Sequence, residues 1–441
     1  MNFQDSLSYL LKLGNEVSSM KLGLENIGKL LAALRNPEKK YLKVQVAGTN
    51  GKGSTCAFLE SICLSARIKT GLYTSPHLIS ITERIKINGE EISENAFAEY
   101  ATKIKDVSEQ LVLEKKLETV PTFFEQVTAI ALYAFAEAKI ELAILETGLG
   151  GRFDATTAAN AEIAAITPID FDHQQFLGDT LTEIAGEKAA IIRVDTKVIY
   201  APQKSEVERV ILEKCRKTGV IPEITDSEIQ IKKQFDESGF PFLIADFTTE
   251  NETYTDVILG LNGRHQFINA SLAINISEIL KEFGFDISKN DVSAGLAKAV
   301  HRGRLEFYEN ILFDGAHNVA GAAALREYLD EFAGQPVTLI FGAMKDKDLK
   351  EIAEILFPKA TNIIFTEPDN SRSVETAELI KYLPETFDLK NVFQSKTAEE
   401  ALNIATTNFA VETLICVTGS LYLVGEIRKL LMQTDASRFV V

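Results

Sequence analysis

The chain has 441 residues, 46 Lys and Arg against 63 Asp and Glu for a net charge of −17, and is 46% hydrophobic and 25% charged. That mixture is typical of a soluble globular protein of two or three domains and excludes a chain that is mainly disordered. With no run of clustered Lys and Arg, the acidity also excludes nucleic acid or an anionic membrane surface as the expected partner, and four cysteines without CxxC spacing exclude a zinc module or disulfide framework and point to a reducing cytoplasm.

The opening Met1–Glu16 stretch carries acids and polar residues at helical spacing, with neither the basic region nor the cleavage site of a targeting peptide. No apolar run approaches the roughly 20 residues that span a bilayer. In chain order, the patterning predicts a strand at Lys43–Ala47, helices at Thr55–Ala66 and Phe124–Ala138, strands at Leu142–Glu146 and Ile163–Thr167, a helix at Leu181–Arg193, a strand at Lys197–Tyr200 and a helix at Ser205–Lys217. From Ile221 to Leu261, short alternating stretches around Asp236-Glu237-Ser238-Gly239 predict a β-hairpin insertion, and a helix follows at Phe267–Glu282. After Gly303-Arg304 a second series begins, with strands at Ile311–Phe313, Val337–Phe341, Ile363–Thr366 and Leu414–Thr418. Strands alternating with helices predict an α/β fold with mostly parallel sheets, divided into domains 1–300 and 301–441. Ligands in such folds bind outside the carboxyl ends of the strands, so the chemistry is sought there.

The first strand empties into Gly48-Thr49-Asn50-Gly51-Lys52-Gly53-Ser54-Thr55 at a helix start. Glycines let backbone N–H groups approach phosphate oxygens, the helix N-terminus favours an anion, Lys52 can neutralise β/γ charge and a hydroxyl can reach Mg²⁺. The spacing is a variant of the strict G-x-x-x-x-G-K-[ST] pattern, because Gly53 separates Lys52 from Ser54. Glu146 ends its strand beside Thr147-Gly148-Leu149-Gly150-Gly151-Arg152-Phe153-Asp154-Ala155, where a carboxylate suits Mg²⁺ held against phosphate. The next strand runs into Asp170-Phe171-Asp172-His173, offering His173 to the same edge. Lys188 has two readings, a desolvated amine with a depressed pKa or a surface lysine lying along Ile184, Ile191 and Ile192. Phe123 and Phe124 could stack on a flat heterocycle or fill the core. Arg304 could stabilise charge on a transferring phosphoryl group or form a surface ion pair.

Gly48–Ser54 resembles the phosphate loop of the Mur ligase superfamily, in the Gly-Lys-Gly-Ser form of the folylpolyglutamate synthase and dihydrofolate synthase family. Tyr73-Thr74-Ser75-Pro76-His77-Leu78, the Glu146–Ala155 stretch, Ile169–His173, Gly186-Glu187-Lys188-Ala189, Gly263–Ala270, Asp314-Gly315-Ala316-His317-Asn318, Phe341–Asp348 and Thr418–Gly425 are similar to family segments in the same order. The resemblance implies a P-loop ATPase domain plus a smaller Rossmann-like C-terminal α/β domain. It implies that Ser54, Ser75, Glu146 and His173 serve two Mg²⁺ ions, and that Lys188 is carbamylated by CO₂. It further implies that Asn269 contacts adenine and that Asp314 and His317 join Arg304 and the Gly48–Thr55 loop at ATP. Leu22–Ile27 and Pro121-Thr122-Phe123-Phe124-Glu125 resemble pterin-pocket segments, and Arg152, Phe153, Asp154 and Ala155 are expected at the substrate.

The implied activity is ATP-dependent amide formation between a folate or pteroate carboxylate and the amino group of L-glutamate, through an acyl phosphate, with Lys52, Lys188, His173 and Arg304 catalytic. The expected enzyme is a cytoplasmic monomer with small-molecule partners only. The alternatives are a Mur-type ligase acting on a cell-wall precursor and a nucleotide-binding switch; the pterin-like segments oppose the first and the Glu146, His173 and Lys188 set opposes the second. One departure stands out, since relatives commonly carry Trp-Pro before the Gly-Arg where this chain has His301-Arg302 and no tryptophan anywhere.

Overall fold

The computed structural model describes residues 1–14, 23–225, 228–235, 241–409 and 413–438. Leu22 and the Asp236–Gly239 turn expected from the sequence lie outside the described residues. Two compact units are formed, one from Met1–Lys232, Ile244–Leu259 and Ile268–Ala299, the other from Lys233–Leu243, Gly260–Phe267 and Val300–Val441.

The first unit is built on β1 (Leu42–Ala47), β2 (Thr70–Tyr73), β3 (Ile85–Ile87), β4 (Glu90–Glu91), β5 (Leu142–Glu146), β6 (Ile163–Ile166), β7 (Lys197–Tyr200) and β8 (Pro222–Ile224), in the order β4-β3-β2-β5-β1-β6-β7-β8. From β2 to β8 neighbouring strands run parallel, and only the edge strands β3 and β4 pair antiparallel. β1, β5 and β6 are almost wholly buried because both sheet faces are covered, which explains their continuous apolar runs. On one face Phe135, Ile130 and Leu132 of the helix Phe123–Glu137 pack with Leu10, Ile27 and Phe97. Against the other, Ile184, Val207 and Ile211 pack with Ile166 and Val198. The register aligns Val46 with Glu146 and Ala47 with Ile166, so three adjacent strands end together.

The insertion expected over Ile221–Leu261 is more than a hairpin. Pro222–Ile224 joins the large sheet as β8, while β9 (Glu228–Phe235), β10 (Pro241–Thr248) and β11 (Thr253–Ile258) form an antiparallel sheet in the order β11-β10-β9. The turn Thr249–Glu252 that joins β10 to β11 is closed by a hydrogen bond from Thr249 N to Glu252 O. The helix expected to Arg193 stops at Lys188 and tightens into a 3₁₀ turn, Ala189–Ile191, just before extended Ile192.

The second unit contains β12 (Glu306–Tyr308), β13 (Ile311–Phe313), β14 (Val337–Phe341), β15 (Asn362–Phe365), β16 (Val392–Gln394) and β17 (Leu414–Thr418), in the order β12-β13-β17-β14-β15-β16. Only β12 is antiparallel. Phe341, Phe357 and Phe365 meet edge to face in its core. Among the described residues no helix is long and apolar enough to cross a membrane.

Glu60 is a polar exception inside the first unit, on the helix Lys52–Ser65 that follows the glycine loop. Its carboxyl is 6% exposed and its Oε1 is buried without a hydrogen-bond partner. Burial pushes its pKa up to about 7 from 4.5, against the opposing charge of Lys86. A folded-state carboxyl pKa above the unfolded value means that stability is fully present below about pH 4.5 and is lost as pH rises through 7. Glu60→Gln is therefore expected to gain about 3 kcal/mol over the native protein at pH 8 and little at pH 4.5, read from urea midpoints at the two pH values.

Candidate active site

β1 delivers its chain into Gly48 at φ +153°, where a Cβ would lie 1.8 Å from Thr167 Oγ1, so only glycine fits. The amides of Thr49 and Asn50 donate to Pro168 O at 3.1 and 3.3 Å. Thr49 Oγ1 donates to Asp170 O and accepts from Asp170 N, at 2.9 and 3.0 Å. The loop is thus stitched to the segment leaving β6. At Gly51, φ +88°, a Cβ would meet Asn269 Oδ1 at 2.2 Å, so the structure brings Asn269 against the loop. Gly51 caps the helix that begins at Lys52, and Gly53, Ser54 and Thr55 are buried in its first turn. The first N–H groups of such a helix have no acceptor within it and favour an anion. Lys52 Nζ donates to Gly48 O and Thr49 O at 3.1 and 3.0 Å, and Thr55 Oγ1 is buried without a partner.

β2 and β5 place the next pair. Glu146 is 6% exposed and its Oε2 accepts from Ser75 N at 3.1 Å, while Ser75 Oγ is buried without a hydrogen-bond partner. Beyond β5 the bend is held by Asp154, buried, whose Oδ2 accepts from Gly148 N and Leu149 N at 2.8 and 2.9 Å and whose Oδ1 accepts from Thr156 N and Oγ1. Burial raises the Asp154 pKa against these hydrogen bonds. Ala155 is buried, whereas Phe153 is exposed and Arg152 pairs with Glu187 at 2.8 Å.

The two phenylalanines separate. Phe123 is core, and half-buried Phe124 lies 6.1 Å from Tyr73, with its ring 2.5 Å from where a Cβ on Gly148 would be. Thr122 and Glu125 form a capping box at the start of their helix, leaving Glu125 Oε1 buried and unpartnered.

Lys188 is 4% exposed and donates from Nζ to Gly48 O at 2.7 Å, which excludes the surface reading. Burial and then the charge of Lys52 push its pKa down to about 7, with Asp172 and Asp154 opposing. His173, φ +52°, opens the short helix Gln174–Leu177 and sits 3.9 Å from Asp172 Oδ1. Among the described residues no group of three or more His, Cys, Asp and Glu is gathered as a ready cation cage.

One cluster escaped sequence reasoning. Arg84, buried, donates from Nε to His77 Nδ1 at 2.8 Å and lies 5.6 Å from the Phe123 ring centroid. Nothing in residue spacing signals a contact between a 3₁₀ turn and a helix start 39 positions later.

Within the second unit, Asp314 is buried, accepts from Leu305 N and Ala316 N at 3.0 and 2.9 Å, and has its pKa raised by burial against the charge of Arg304. His317 Nδ1 is 2.7 Å from Gly315 O. His265 is pushed down to about 4 by burial and then by Arg304.

A glycine-rich loop on a mostly parallel sheet, followed by a second α/β unit, suits the class of Mur-type ATP-dependent ligases, and the sequence matches that class directly. Residues 46–277 match the Mur ligase middle domain and residues 303–421 the Mur ligase glutamate ligase domain. A dihydrofolate synthase/folylpolyglutamate synthase of Bacillus subtilis is 35% identical across 97% of this chain and 98% of its own. The Escherichia coli protein of the same name is 29% identical over 98% of this chain and 95% of its own. Mycobacterium tuberculosis folylpolyglutamate synthase, solved with ADP and AMPPCP, superposes with a TM-score of 0.86 at 31% identity, covering 97% of this chain and 99% of that one. The chain belongs to the dihydrofolate synthase/folylpolyglutamate synthase family, ATP-dependent ligases that add glutamate to a folate-type carboxylate.

Proposed function

We propose that the carboxyl ends of β2, β5, β1 and β6 form the phosphoryl-transfer half of the site. The observation that carries this reading is the convergence there of Ser75, Glu146, the Gly48–Thr55 loop and the Asp170–His173 segment, with Lys188 reaching Gly48 O from the helix Leu181–Lys188. The amides at the start of the helix Lys52–Ser65, together with Lys52, hold the ATP phosphates, and Lys52 stabilises the charge that develops on the γ-phosphoryl group. Asn269, against Gly51, receives the adenine side. Ser54, Ser75, Glu146 and His173 would hold two Mg²⁺ ions. The orphaned Ser75 Oγ and the buried Glu146 suit a hard cation that takes few protein oxygens and completes its shell with water and phosphate. When bound, the ions neutralise phosphate charge and align the transferring group.

Lys188 is proposed to carry a carbamate. Near pH 7 its lowered pKa leaves much of the amine neutral, able to attack CO₂ and release a proton. The product is an anion, which exchanges repulsion from Lys52 for attraction. Thr122, Phe124, Glu125, Arg152, Phe153 and Ala155 are assigned to the folate substrate, with Phe123 and Asp154 supporting them from the core. In the second unit Arg304, Asp314 and His317 are assigned to ATP, a role supported by the Asp-Gly-Ala-His-Asn segment and by the charge of Arg304 acting on Asp314. Domains 1–300 and 301–441, a cytoplasmic location and a monomeric state complete the proposal.

The test uses purified protein with ATP, Mg²⁺, L-glutamate and either dihydropteroate or tetrahydrofolate. ADP and phosphate are expected only when carboxylate and amine are both present, and the pterin that works sets the substrate. Turnover on muramyl substrates instead would overturn the reading. Glu146→Gln is expected to raise the Mg²⁺ concentration for half-maximal turnover by about 10-fold or more; an unchanged requirement removes Glu146 from the metal site.

A further inference from the structure

The bond between Arg84 Nε and His77 Nδ1, 2.8 Å long, settles where the histidine carries its hydrogen. A guanidinium has five donors and no acceptor, so Nδ1 must offer its lone pair. The hydrogen of the neutral ring is then on Nε2. Nε2 has no hydrogen-bond partner among the described residues, and the ring is half-buried. Both sides of the arrangement are fixed. Glu83 accepts from Leu78 N, Ile79 N and Ser80 N at 2.8, 2.8 and 2.7 Å, which holds the loop after His77. Arg84 is 3% exposed and its guanidinium lies over Phe123, the first residue of the helix Phe123–Glu137.

The ring therefore offers a directed donor two residues beyond Ser75, held through Arg84 against Phe123 at the start of the helix that bears Phe124. With Nδ1 engaged, the neutral ring can give its remaining N–H only to an acceptor, and an ionised carboxylate oxygen makes the stronger bond. We propose that His77 is a substrate-binding residue whose Nε2–H donates to the carboxylate of the folate-type substrate, and that Arg84 is the positioning residue that fixes this tautomer. The proposal rests on the folate ligase reading above. It goes further by assigning the recognition of the carboxylate to a histidine and its orientation to a buried arginine.

The experiment measures kcat and KM separately for the pterin substrate and for ATP. His77→Ala is expected to raise the pterin KM by about 10-fold or more, the range for a hydrogen bond to a charged group, with the ATP KM within two-fold of native. His77→Gln, whose amide nitrogen can occupy the place of Nε2, restores most of the loss, whereas His77→Asn, matching Nδ1, does not. Arg84→Met raises the pterin KM in the native background and adds nothing to His77→Ala, the signature of two residues acting as one. Should Arg84→Met fail to fold, the His77 series alone decides. An unchanged pterin KM in His77→Ala, equal rescue by Gln and Asn, or an equal rise in the ATP KM would each overturn the proposal. A native protein without glutamate-dependent ADP release would instead overturn the underlying ligase reading.

Discussion

Lys188→Met is expected to lower glutamate-dependent turnover by about 10²- to 10³-fold while making the protein harder to unfold. The loss follows from removing a preorganised charge beside the loop proposed to hold the transferring phosphate. The gain in stability follows from linkage. The folded-state pKa is about 7 against 10.5 for a free lysine, so the unfolded chain holds this proton across an interval in which the folded chain releases it. Stability is fully present above about pH 10.5 and declines as pH falls through 7. Below pH 7 the buried ammonium costs on the order of 5 kcal/mol, which methionine does not incur. Turnover in CO₂-depleted buffer with and without bicarbonate, alongside melting curves at pH 6 and pH 9, checks both halves. A fully active Lys188→Met, or native activity indifferent to bicarbonate, would sink the carbamate.

Asp154→Ala should destabilise the protein by about 4 kcal/mol or more. The substitution strands the N–H groups of Gly148, Leu149 and Thr156 and the Thr156 hydroxyl in a buried bend, and each unsatisfied donor costs about 1–3 kcal/mol unless water enters. Asp154→Asn relieves little, because its NH₂ would face donors. Urea midpoints give the loss. The pterin KM should rise in step, since Phe124 packs against Gly148; a destabilised variant with native KM would separate the bend from substrate binding.

Most of the strands that end at the proposed site were readable because each is a short apolar run broken by glycine or a carboxylate, as at Ala47-Gly48 and Glu146-Thr147. β2 was not, since Thr70-Gly71-Leu72-Tyr73 has a glycine where a strand former is expected. Gly71 is needed there because a Cβ would lie 2.5 Å from the Phe135 ring. The loop, Glu146 and Asn269 were legible as motifs. The depth of Lys188 was not, because the same apolar neighbours suit a buried amine or a lysine lying along the surface. Nor was the work of Asp154, which from spacing alone looks available to a ligand but is committed to four donors of its own chain. Arg84 and Glu60 carry no pattern at all, as each is defined by what surrounds it in space.

The helix behind the phosphate loop meets its neighbour with no side chain between them. A Cβ on Gly295 would lie 2.4 Å from Ile62 Cα and 2.6 Å from Ile62 N, and Ser61 Oγ donates to Gly295 O at 2.7 Å. Backbone packed on backbone is a stiff joint, with no rotamer that can yield. The strut carrying Lys52 and Ser54 is thus braced by a residue 234 positions from Ser61. A single methyl group at Gly295 would press on the Ile62 backbone and push that strut from behind.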